Sequence, residues 1–440
     1  MNNQPKEIFL QYNEGCDYKS AIGNKGLFEQ SKINERFYLG DQWHGAKCGN
    51  ERPLVRHNVI KRIGEYKIAQ VLNQPIKISY SADGIPFEFA EEQEKPDFSK
   101  EAPDNNEINY VMKLFDKYHT ATSERVKLAE LNEKILKNAY VSGSSLLYTY
   151  WDSSVNTGLF ADSNKQHRIK GDICCEVLHI NDLVFGDPYC TELQKQPYII
   201  ISTMRDKESV LSQARLNGCD IQQLRDIEDS AEQGKVQVLT KLFKEYKKDG
   251  GYLIKGIKVT YNGVIRQEFD TGLHLYPLAM FCWERKNNSI YGESEITYLI
   301  PNQIAINRMI TANVWATMTA GMPLMVVNGD TVTDKISNDP GQIIKVFGSN
   351  EDVSSAVNYV TPPSISKDFD ASINTLITNT MTQSGANEVA LGDSKADNAT
   401  ALATMRDAAI LPLQIIKNRF YVFSEEVARI WADFWVVYYG

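Results

Sequence analysis

Residues 301–439 constrain the fold most, because they encode three helices in a fixed order with a strand-rich insert between the first two. The first helix has clear ends: Pro301 suits the first helical position, Gly321 suits the position just past the end, and Pro323 cannot continue a helix. We therefore predict a helix over Pro301–Ala320. Its apolar residues cover more than one stripe, which predicts contacts with several neighbours.

The insert, residues 322–365, changes to a β-rich pattern. Leu324–Val327 and Gln342–Phe347 are strand-like, and turn-forming residues lie between them. A second helix is predicted over Ser366–Ser384, with apolar residues on one face. The two helices therefore bracket a small β-rich module.

A polar, turn-prone segment, residues 387–398, follows the second helix. The third helix then contains Pro412, which predicts a kink because proline removes a helical hydrogen bond. Beyond the proline, apolar residues recur at four- and three-residue steps, which predicts a helix with one buried face. These residues are Ile416, Phe420, Phe423, Val427, Ile430 and Phe434.

This order resembles the core of tailed-bacteriophage portal proteins, in which a stem helix, a clip domain, a returning stem helix, a tunnel loop and a long kinked helix follow one another. Order and spacing carry the resemblance, rather than any single motif. The matching segments are Tyr291–Ser294, Asn302–Gln303 with Asn307, Gly321–Pro323, Ala390–Gly392 and Asn398–Ala401.

The N-terminal part contains a second, weaker similarity to the same family. A helix over Leu27–Gly40 leads into an aromatic-Gly-x-x-Trp element that ends at Trp43, and Asn58 begins another helix that reaches Leu72. Portal proteins often open in a similar way. Taken alone, this segment is equally well interpreted as an aromatic cap on any pair of helices.

The rest of the first 290 residues is predicted to form an α+β body. An acidic, proline-interrupted stretch, residues 83–106, is predicted to be a loop or mobile insertion. The chain from Val236 to Trp283 is predicted to form an antiparallel meander. Further strands are predicted at Ile76–Tyr80, Ser145–Trp151, Ile173–Val177 and Leu183–Phe185, and helices at Glu107–Ser142 and Asp206–Gln233.

Composition limits the partners and the compartment. The net charge of −9 over 440 residues does not suit a protein that wraps tightly around a phosphate backbone. The seven cysteines are scattered, which favours free thiols in a reducing compartment. The N-terminus lacks an apolar signal core, and no run approaches the roughly 18 apolar residues of a spanning helix. We expect a soluble, intracellular protein with no membrane partner.

The sequence lacks the common motifs of catalysis and metal binding. It has no Gly-x-x-x-x-Gly-Lys-Ser/Thr loop, which argues against ATP hydrolysis by this chain. Histidines and cysteines between His167 and Cys190 do not have the spacing of a zinc site, and Glu425 and Glu426 are interpreted as solvated surface charges. Gly143-Ser144-Ser145 lacks the second glycine of a nucleophile elbow. We expect no catalytic residue, cofactor or metal site.

The resemblance implies an α+β portal fold with these parts: a wing over residues 1–290, a first stem helix over 291–321, a clip over 322–365, a second stem helix over 366–386, a tunnel loop over 387–398 and a long kinked helix over 399–440, with no crown expected. It also implies a structural role. Portal subunits form a ring, usually a dodecamer, at one capsid vertex, through which double-stranded DNA is packaged and ejected. The implied partners are the terminase large subunit, head–tail connector proteins, the major capsid protein and scaffold, and the implied location is the virion, after assembly in the host cytoplasm.

The family match also implies site residues. The tunnel loop would face DNA, and its net negative charge, repeated around a ring, would let DNA slide without sticking. Without the resemblance, a solvated loop explains the same residues comparably well. The loop candidates are Glu388, Leu391, Gly392, Asp393, Lys395 and Asp397, the stem candidates are Arg308 and Lys367, and the clip docking candidates are Lys335, Asp339 and Lys345.

Two other functions remain open from the sequence. One is a DNA-processing enzyme with a dispersed acidic metal site. The other is a virion adaptor that is not a portal.

Overall fold

Helices and antiparallel sheets together build the chain, which confirms the α+β class. A computed structural model describes residues 4–46, 53–73, 76–81, 105–160, 168–247, 251–320, 324–327, 357–360, 367–386 and 411–439. The helices in these ranges are α1 (Gln4–Ala21), α2 (Gly26–Leu39), α3 (Val59–Leu72), α4 (Asn105–Arg125), α5 (Leu128–Ser142), α6 (Lys207–Leu216), α7 (Ile221–Asp229), α8 (Glu295–Ala320), α9 (Lys367–Gln383) and α10 (Gln414–Tyr438). Among them, no helix is long and apolar enough to cross a membrane.

The strands form three antiparallel sheets. They are β1 (Ser144–Phe160), β2 (Arg168–His179), β3 (Leu183–Phe185), β4 (Tyr198–Asp206), β5 (Ala231–Glu232), β6 (Lys235–Tyr246), β7 (Tyr252–Val259), β8 (Val264–Asp270), β9 (Leu278–Cys282), β10 (Leu324–Val327) and β11 (Val357–Val360). The largest sheet has the order β3-β4-β6-β7-β8, with β5 on β6, and a second sheet has the order β2-β1-β9. The third sheet pairs β10 with β11.

The meander predicted for Val236–Trp283 is confirmed only as far as β8. The last predicted strand, β9, leaves that sheet and pairs with β1, so that Ser144 lies opposite Cys282 and Tyr148 opposite Leu278. The strand predicted at Ile76–Tyr80 is wrong, because this segment pairs with no described strand. Side-chain bonds hold it instead: the backbone N–H of Tyr80 donates to Asp116 Oδ1, and its hydroxyl donates to the Ala428 carbonyl.

Several predicted helix boundaries need correction. The single helix predicted over Glu107–Ser142 is two helices, because Lys127 adopts a left-handed conformation (φ 54°) between α4 and α5. The helix predicted over Asp206–Gln233 is also two, α6 and α7, with Gly218 at φ 79° between them. Helix α1 was not predicted at all.

Helices α2 and α3 confirm the predictions for the N-terminal part. Gly40 ends α2 in a left-handed conformation (φ 90°), which glycine adopts without the steric cost of a side chain. Asn58 caps α3, because its side chain accepts a hydrogen bond of 3.1 Å from the Lys61 backbone N–H.

Helix α8 begins at Glu295, not at Pro301, which lies inside it. Side-chain hydrogen bonds hold the residues before Pro301, which are not predicted to be helical because proline usually begins a helix. Ser294 Oγ accepts from the Ile296 N–H at 3.1 Å and donates to the Tyr140 carbonyl at 2.6 Å. The Glu295 carboxylate accepts from Lys67 Nζ at 2.6 Å and from the Trp283 indole N–H at 3.0 Å.

The C-terminal helices largely follow the prediction. The second predicted helix is confirmed as α9, and the strand at Leu324–Val327 is confirmed as β10. Pro412 lies in a 3-10 turn, Leu411–Leu413, directly before α10. The part of the predicted kinked helix before this turn, residues 399–410, lies outside the described residues, so the kink at Pro412 stays a prediction.

Helix α10 has the buried face that its apolar spacing predicts. All six stripe residues are buried, and Phe281 of β9 packs edge-to-face against Phe420 and Phe423, with ring centroids 5.8 and 6.1 Å apart. The main hydrophobic core therefore lies where α10 covers the β2-β1-β9 sheet, and residues of α3, α5 and α8 complete it.

Candidate functional site

Most of the predicted site residues lie outside the described residues. This applies to Glu388, Leu391, Gly392, Asp393, Lys395 and Asp397 of the tunnel loop and to Lys335, Asp339 and Lys345 of the clip. Lys367 begins α9, and its side chain is also outside the description. Arg308 is the one candidate whose side chain is described. The elements that lead into the predicted clip and the predicted tunnel loop are described, and they form the candidate site.

Helices α8 and α9 pack as an antiparallel pair. The Asn302 side chain donates to Thr380 Oγ1 at 3.3 Å, and eleven residues further along α8 the Asn313 side chain donates to Asp370 Oδ1 at 2.6 Å. The α9 partners thus run in the opposite direction along the sequence. The chain leaves α8 and returns into α9 at the same end of the pair.

The insert between these helices begins and ends with paired strands. Leu324 lies opposite Val360 and Val327 opposite Val357, so β10 and β11 form a two-stranded antiparallel ladder. Strand β10 begins a few residues after α8 ends, and α9 begins a few residues after β11 ends. The described part of the insert is therefore a β hairpin-like base at the tip of a helical pair.

The outer half of α8 is only partly covered by the described chain. Between Arg308 and Met318 no residue is buried, and Met318 is 49% exposed. Met309, Ile310 and Val314 in this half are only partly buried. The inner half differs, because Gln303, Ile306 and Asn307 are buried.

The described residues on the two sides of 387–410, a segment that contains the predicted tunnel loop 387–398, meet at one point of the core. A β-carbon placed on Gly385 would lie 3.4 Å from Cβ of Pro412. Ala386 and Leu413, on the two sides of residues 387–410, are both buried in the main core. The described residues that flank 387–410 therefore lie at nearly the same place in the core.

Buried side-chain amides on α8 hold the segment between α2 and α3. Gln303 Oε1 accepts from the backbone N–H groups of Val59 and Ile60 at 3.0 and 3.3 Å, and Gln303 Nε2 donates to the His57 carbonyl at 2.7 Å. These bonds satisfy donors at the first turn of α3 that have no partner inside the helix.

Asn307 extends this network to the aromatic-Gly-x-x-Trp element. Asn307 Oδ1 accepts from the His57 N–H at 3.1 Å and from Gln303 Nε2 at 3.0 Å, and its Nδ2 donates to Gln42 Oε1 at 2.6 Å. The Trp43 indole N–H in turn donates to the Val55 carbonyl at 3.0 Å. Two groups of residues singled out separately in the sequence thus meet in one network.

Arg308 lies beside this network, on an open cleft of about 400 Å³. Side chains of α2, the following turn and α8 line the cleft. The apolar ones are Ile33, Phe37, Trp43 and Ile304, and the charged or titratable ones are Lys25, Arg36, Asp41, His44 and Arg308. Sequence reasoning missed this cleft, because Lys25 and Arg36 show no motif that links them to α8.

His179 and Cys175, two of the residues between His167 and Cys190, are held in ways that do not favour metal binding or catalysis. His179 Nδ1 accepts from the Asn181 N–H at 3.2 Å and its Nε2 lies 2.7 Å from Ser142 Oγ, so both ring nitrogens are occupied. Burial raises the pKa of the Cys175 thiol to about 11, which disfavours a reactive thiolate. No group of three or more metal-ligating side chains occurs in the part of the chain that the structure describes.

The prediction of two solvated glutamates is wrong for one of them. Glu425 is exposed and pairs with Arg429 at 2.6 Å. Glu426 instead accepts a hydrogen bond from Gln194 at 3.3 Å, and burial raises the pKa of its carboxyl. Gln194 also accepts from the Tyr276 N–H and donates to its carbonyl, so Glu426 is part of the contact between α10 and the body.

Comparison with known proteins leaves the family unassigned: no protein-family model matches the chain, and no curated protein matches it at a significant level.

Proposed function

We propose that this chain is the subunit of a portal ring in a tailed bacteriophage, a structural protein through which double-stranded DNA enters and leaves the capsid. The observation that carries the proposal is the antiparallel α8–α9 pair with the β10–β11 ladder at its tip. This is the arrangement that two stem helices and a clip would have. In this proposal Arg308 and Lys367 belong to the stem.

The exposed outer half of α8 supports assembly. A long helix with apolar residues on several sides normally buries them. In a single chain, Met309, Ile310, Val314 and Met318 are left partly or largely exposed. Neighbouring stems in a ring would cover them, and the small size of the β10–β11 ladder is consistent with a clip completed by neighbouring subunits.

The closeness of Gly385 and Pro412 supports the tunnel-loop assignment. A segment whose two ends lie together in a rigid core can project and shift without disturbing the core. Within this segment, the charged residues of the proposed tunnel loop 387–398 are Glu388, Asp393, Lys395 and Asp397, and they sum to a net charge of −2 per subunit, from three carboxylates and one amine. Repeated around a ring, this charge would repel phosphates weakly and keep DNA mobile.

The remaining partners follow from this role. The clip, with Lys335, Asp339 and Lys345, would bind the terminase large subunit during packaging and head–tail connector proteins later. The α+β body would contact the major capsid protein and the scaffold. The protein would assemble in the host cytoplasm and remain at the portal vertex of the virion.

The DNA channel is tested by reversing the loop charge. We expect the double variant Asp393→Lys with Asp397→Lys to assemble normally but to retain linear double-stranded DNA, with an affinity that falls steeply as salt increases. The measurement is DNA binding by assembled protein at two salt concentrations. The control is Asp229→Lys with Glu232→Lys, an equal change of charge on the exposed surface of the body, which should leave binding low. Equal affinity of the loop variant and the control would contradict the channel assignment.

A further inference from the structure

The cleft beside Arg308 carries cations without an ion-pair partner among the described residues. Lys25, Arg36 and Arg308 are exposed at its rim, and none of them makes an ion pair with a described residue. The one carboxylate among the lining residues, Asp41, lies 3.5 Å from His44 Nδ1. The rim of the cleft is therefore positively charged, and its three cations are not neutralised by ion pairs with described residues.

The floor of the cleft is apolar and rigid. Phe37, Trp43 and Ile304 line it, and the Trp43 ring is fixed by its hydrogen bond to the Val55 carbonyl. The neighbouring Asn307–Gln42 bond holds the same turn against α8. A cleft with an apolar floor and a positively charged rim is complementary to a side chain or helix face with an apolar centre and acidic flanks. Because the cleft is already formed, binding costs little conformational entropy.

Helix α1 presents such a face to solvent. Glu7, Leu10, Glu14 and Asp17 follow one another at three- and four-residue steps, so they form one stripe of the helix. All four are exposed, and Leu10 is 59% exposed. None of the three carboxylates makes an ion pair with the residues that the structure describes.

The opposite face of α1 packs against its own chain. Ile8 and Phe9 are buried against Val184, Ile200 and Leu239 of the largest sheet. Lys19, also buried, donates to the carbonyls of Ile180 and Asn181. The acidic stripe therefore points away from its own body, and α1 cannot turn it into the cleft of the same chain without leaving the sheet.

We infer that α1 of one subunit docks in the cleft of the next, with Leu10 on the apolar floor and its carboxylates against Lys25, Arg36 and Arg308. This inference rests on the proposed ring function and names the surfaces that join its subunits. The two surfaces differ, so the contact is heterologous, and repetition of a heterologous contact builds a ring when its rotation closes. In this arrangement Arg308 contacts the neighbouring subunit.

The test is an exchange of charges between the two surfaces. In the helix variant, Glu14→Lys and Asp17→Lys make the stripe positive. In the cleft variant, Arg36→Glu and Arg308→Glu make the rim negative. Each variant alone should need at least about a tenfold higher protein concentration to assemble, because like charges then face each other at the contact. Sedimentation velocity at low and high salt measures this, and thermal unfolding of each variant checks that the monomer is folded.

Restoration of assembly when the two variants are combined would show that the two surfaces contact each other. An equimolar mixture of the two variants should assemble like the unmodified protein, since each positive stripe then meets a negative cleft. A chain with all four substitutions should do the same. The control variant, Asp229→Lys with Glu232→Lys, should assemble normally.

The outcomes separate the inference from the proposed function. Rings that form equally well from each folded single-surface variant would overturn the docking of α1 in the cleft and leave the ring proposal standing. Weakened assembly without restoration in the mixture would also overturn it, since the two surfaces would then not face each other. An unmodified protein that stays monomeric at high concentration would overturn both.

Discussion

Asn307 donates a hydrogen bond of 2.6 Å to Gln42, a partner 265 residues earlier in the chain. Both side chains are buried, and Gln303 connects them to the first turn of α3. Through this bond the N-terminal helices are fixed to α8, the helix that we propose as the first stem helix. The position of the stem relative to the body therefore depends on a few buried amides.

The amide network should contribute strongly to stability. Replacing Gln303 with Met keeps the volume but removes the acceptor of the Ile60 N–H, and it leaves the Val59 N–H and the His57 carbonyl with only the bond between them. We expect a loss of about 3 kcal/mol in the free energy of unfolding, because each unsatisfied buried group costs about 1–3 kcal/mol. Urea denaturation measures the loss.

The control for this variant is Gln222→Met. Gln222 is exposed on α7, where its side chain donates to Asp226, so the change should stay within about 0.5 kcal/mol. Equal stability of the two variants would show that the network is not a source of stability.

The buried face of α10 gives a second test. Phe423 is 2% exposed and packs on Phe281, so Phe423→Asp places an unpaired carboxylate in the core and should cost several kcal/mol. The adjacent Val422 is 55% exposed on the other side of the helix, and Val422→Asp should change stability little. Thermal unfolding of the two variants at low protein concentration measures the contrast. A melting temperature of the Phe423 variant equal to that of the control would contradict the packing of α10.

Much of this fold could be predicted from local patterns. The stripe on α10, the Asn58 cap and Gly40 at the end of α2 depend on neighbours within one or two turns, which the sequence shows directly. The start of α8 could not be predicted in this way. Its first turn is held by Lys67, Trp283 and Tyr140, residues that are remote in sequence and outweigh the helix-breaking tendency of Pro301.

The candidate site shows the same division. Gln303 and Asn307 were singled out with the aromatic-Gly-x-x-Trp element, but no periodicity predicts that they meet. The cleft was not predicted, because Lys25, Arg36 and Arg308 converge only through the packing of α2 on α8. Helix α1 was missed because its few apolar residues fit a sheet whose strands lie far along the chain.

The buried Lys19 should make the stability of the fold depend on pH in the alkaline range. It is fully buried, and desolvation lowers its pKa from 10.5 to about 8. Below about pH 8 the amine is charged in both states and its burial is unfavourable. Between about pH 8 and 10.5 the folded state has released the proton while the unfolded state still binds it, so stability rises with pH in this window.

A comparison with Lys19→Met isolates this effect from other titrating groups. The unfolding free energy of the native chain, relative to that of the variant, should rise by on the order of 3 kcal/mol from pH 8 to 10.5. Urea denaturation at half-unit steps of pH measures the difference. A difference that stays constant across the window would contradict the lowered pKa.

The insert between α8 and α9 should be needed for assembly and not for folding of the body. The Asn313–Asp370 bond brings the ends of the two helices together, so residues 322–365 can be replaced by a short Gly-Ser linker. We expect a folded monomer that assembles at least about tenfold more weakly, since an insert of few short strands is expected to bury too little surface to be independent of neighbouring subunits. Removal of residues 91–97, from the acidic stretch, is the control. Unchanged assembly after removal of the insert, or a stable monomeric fold of the isolated insert, would contradict this role.

Electron microscopy of the purified full chain shows directly whether the protein forms portal rings. We predict rings of uniform subunit number with a central hole, in which the α8–α9 pairs surround the channel. Monodisperse compact monomers at high protein concentration would contradict it.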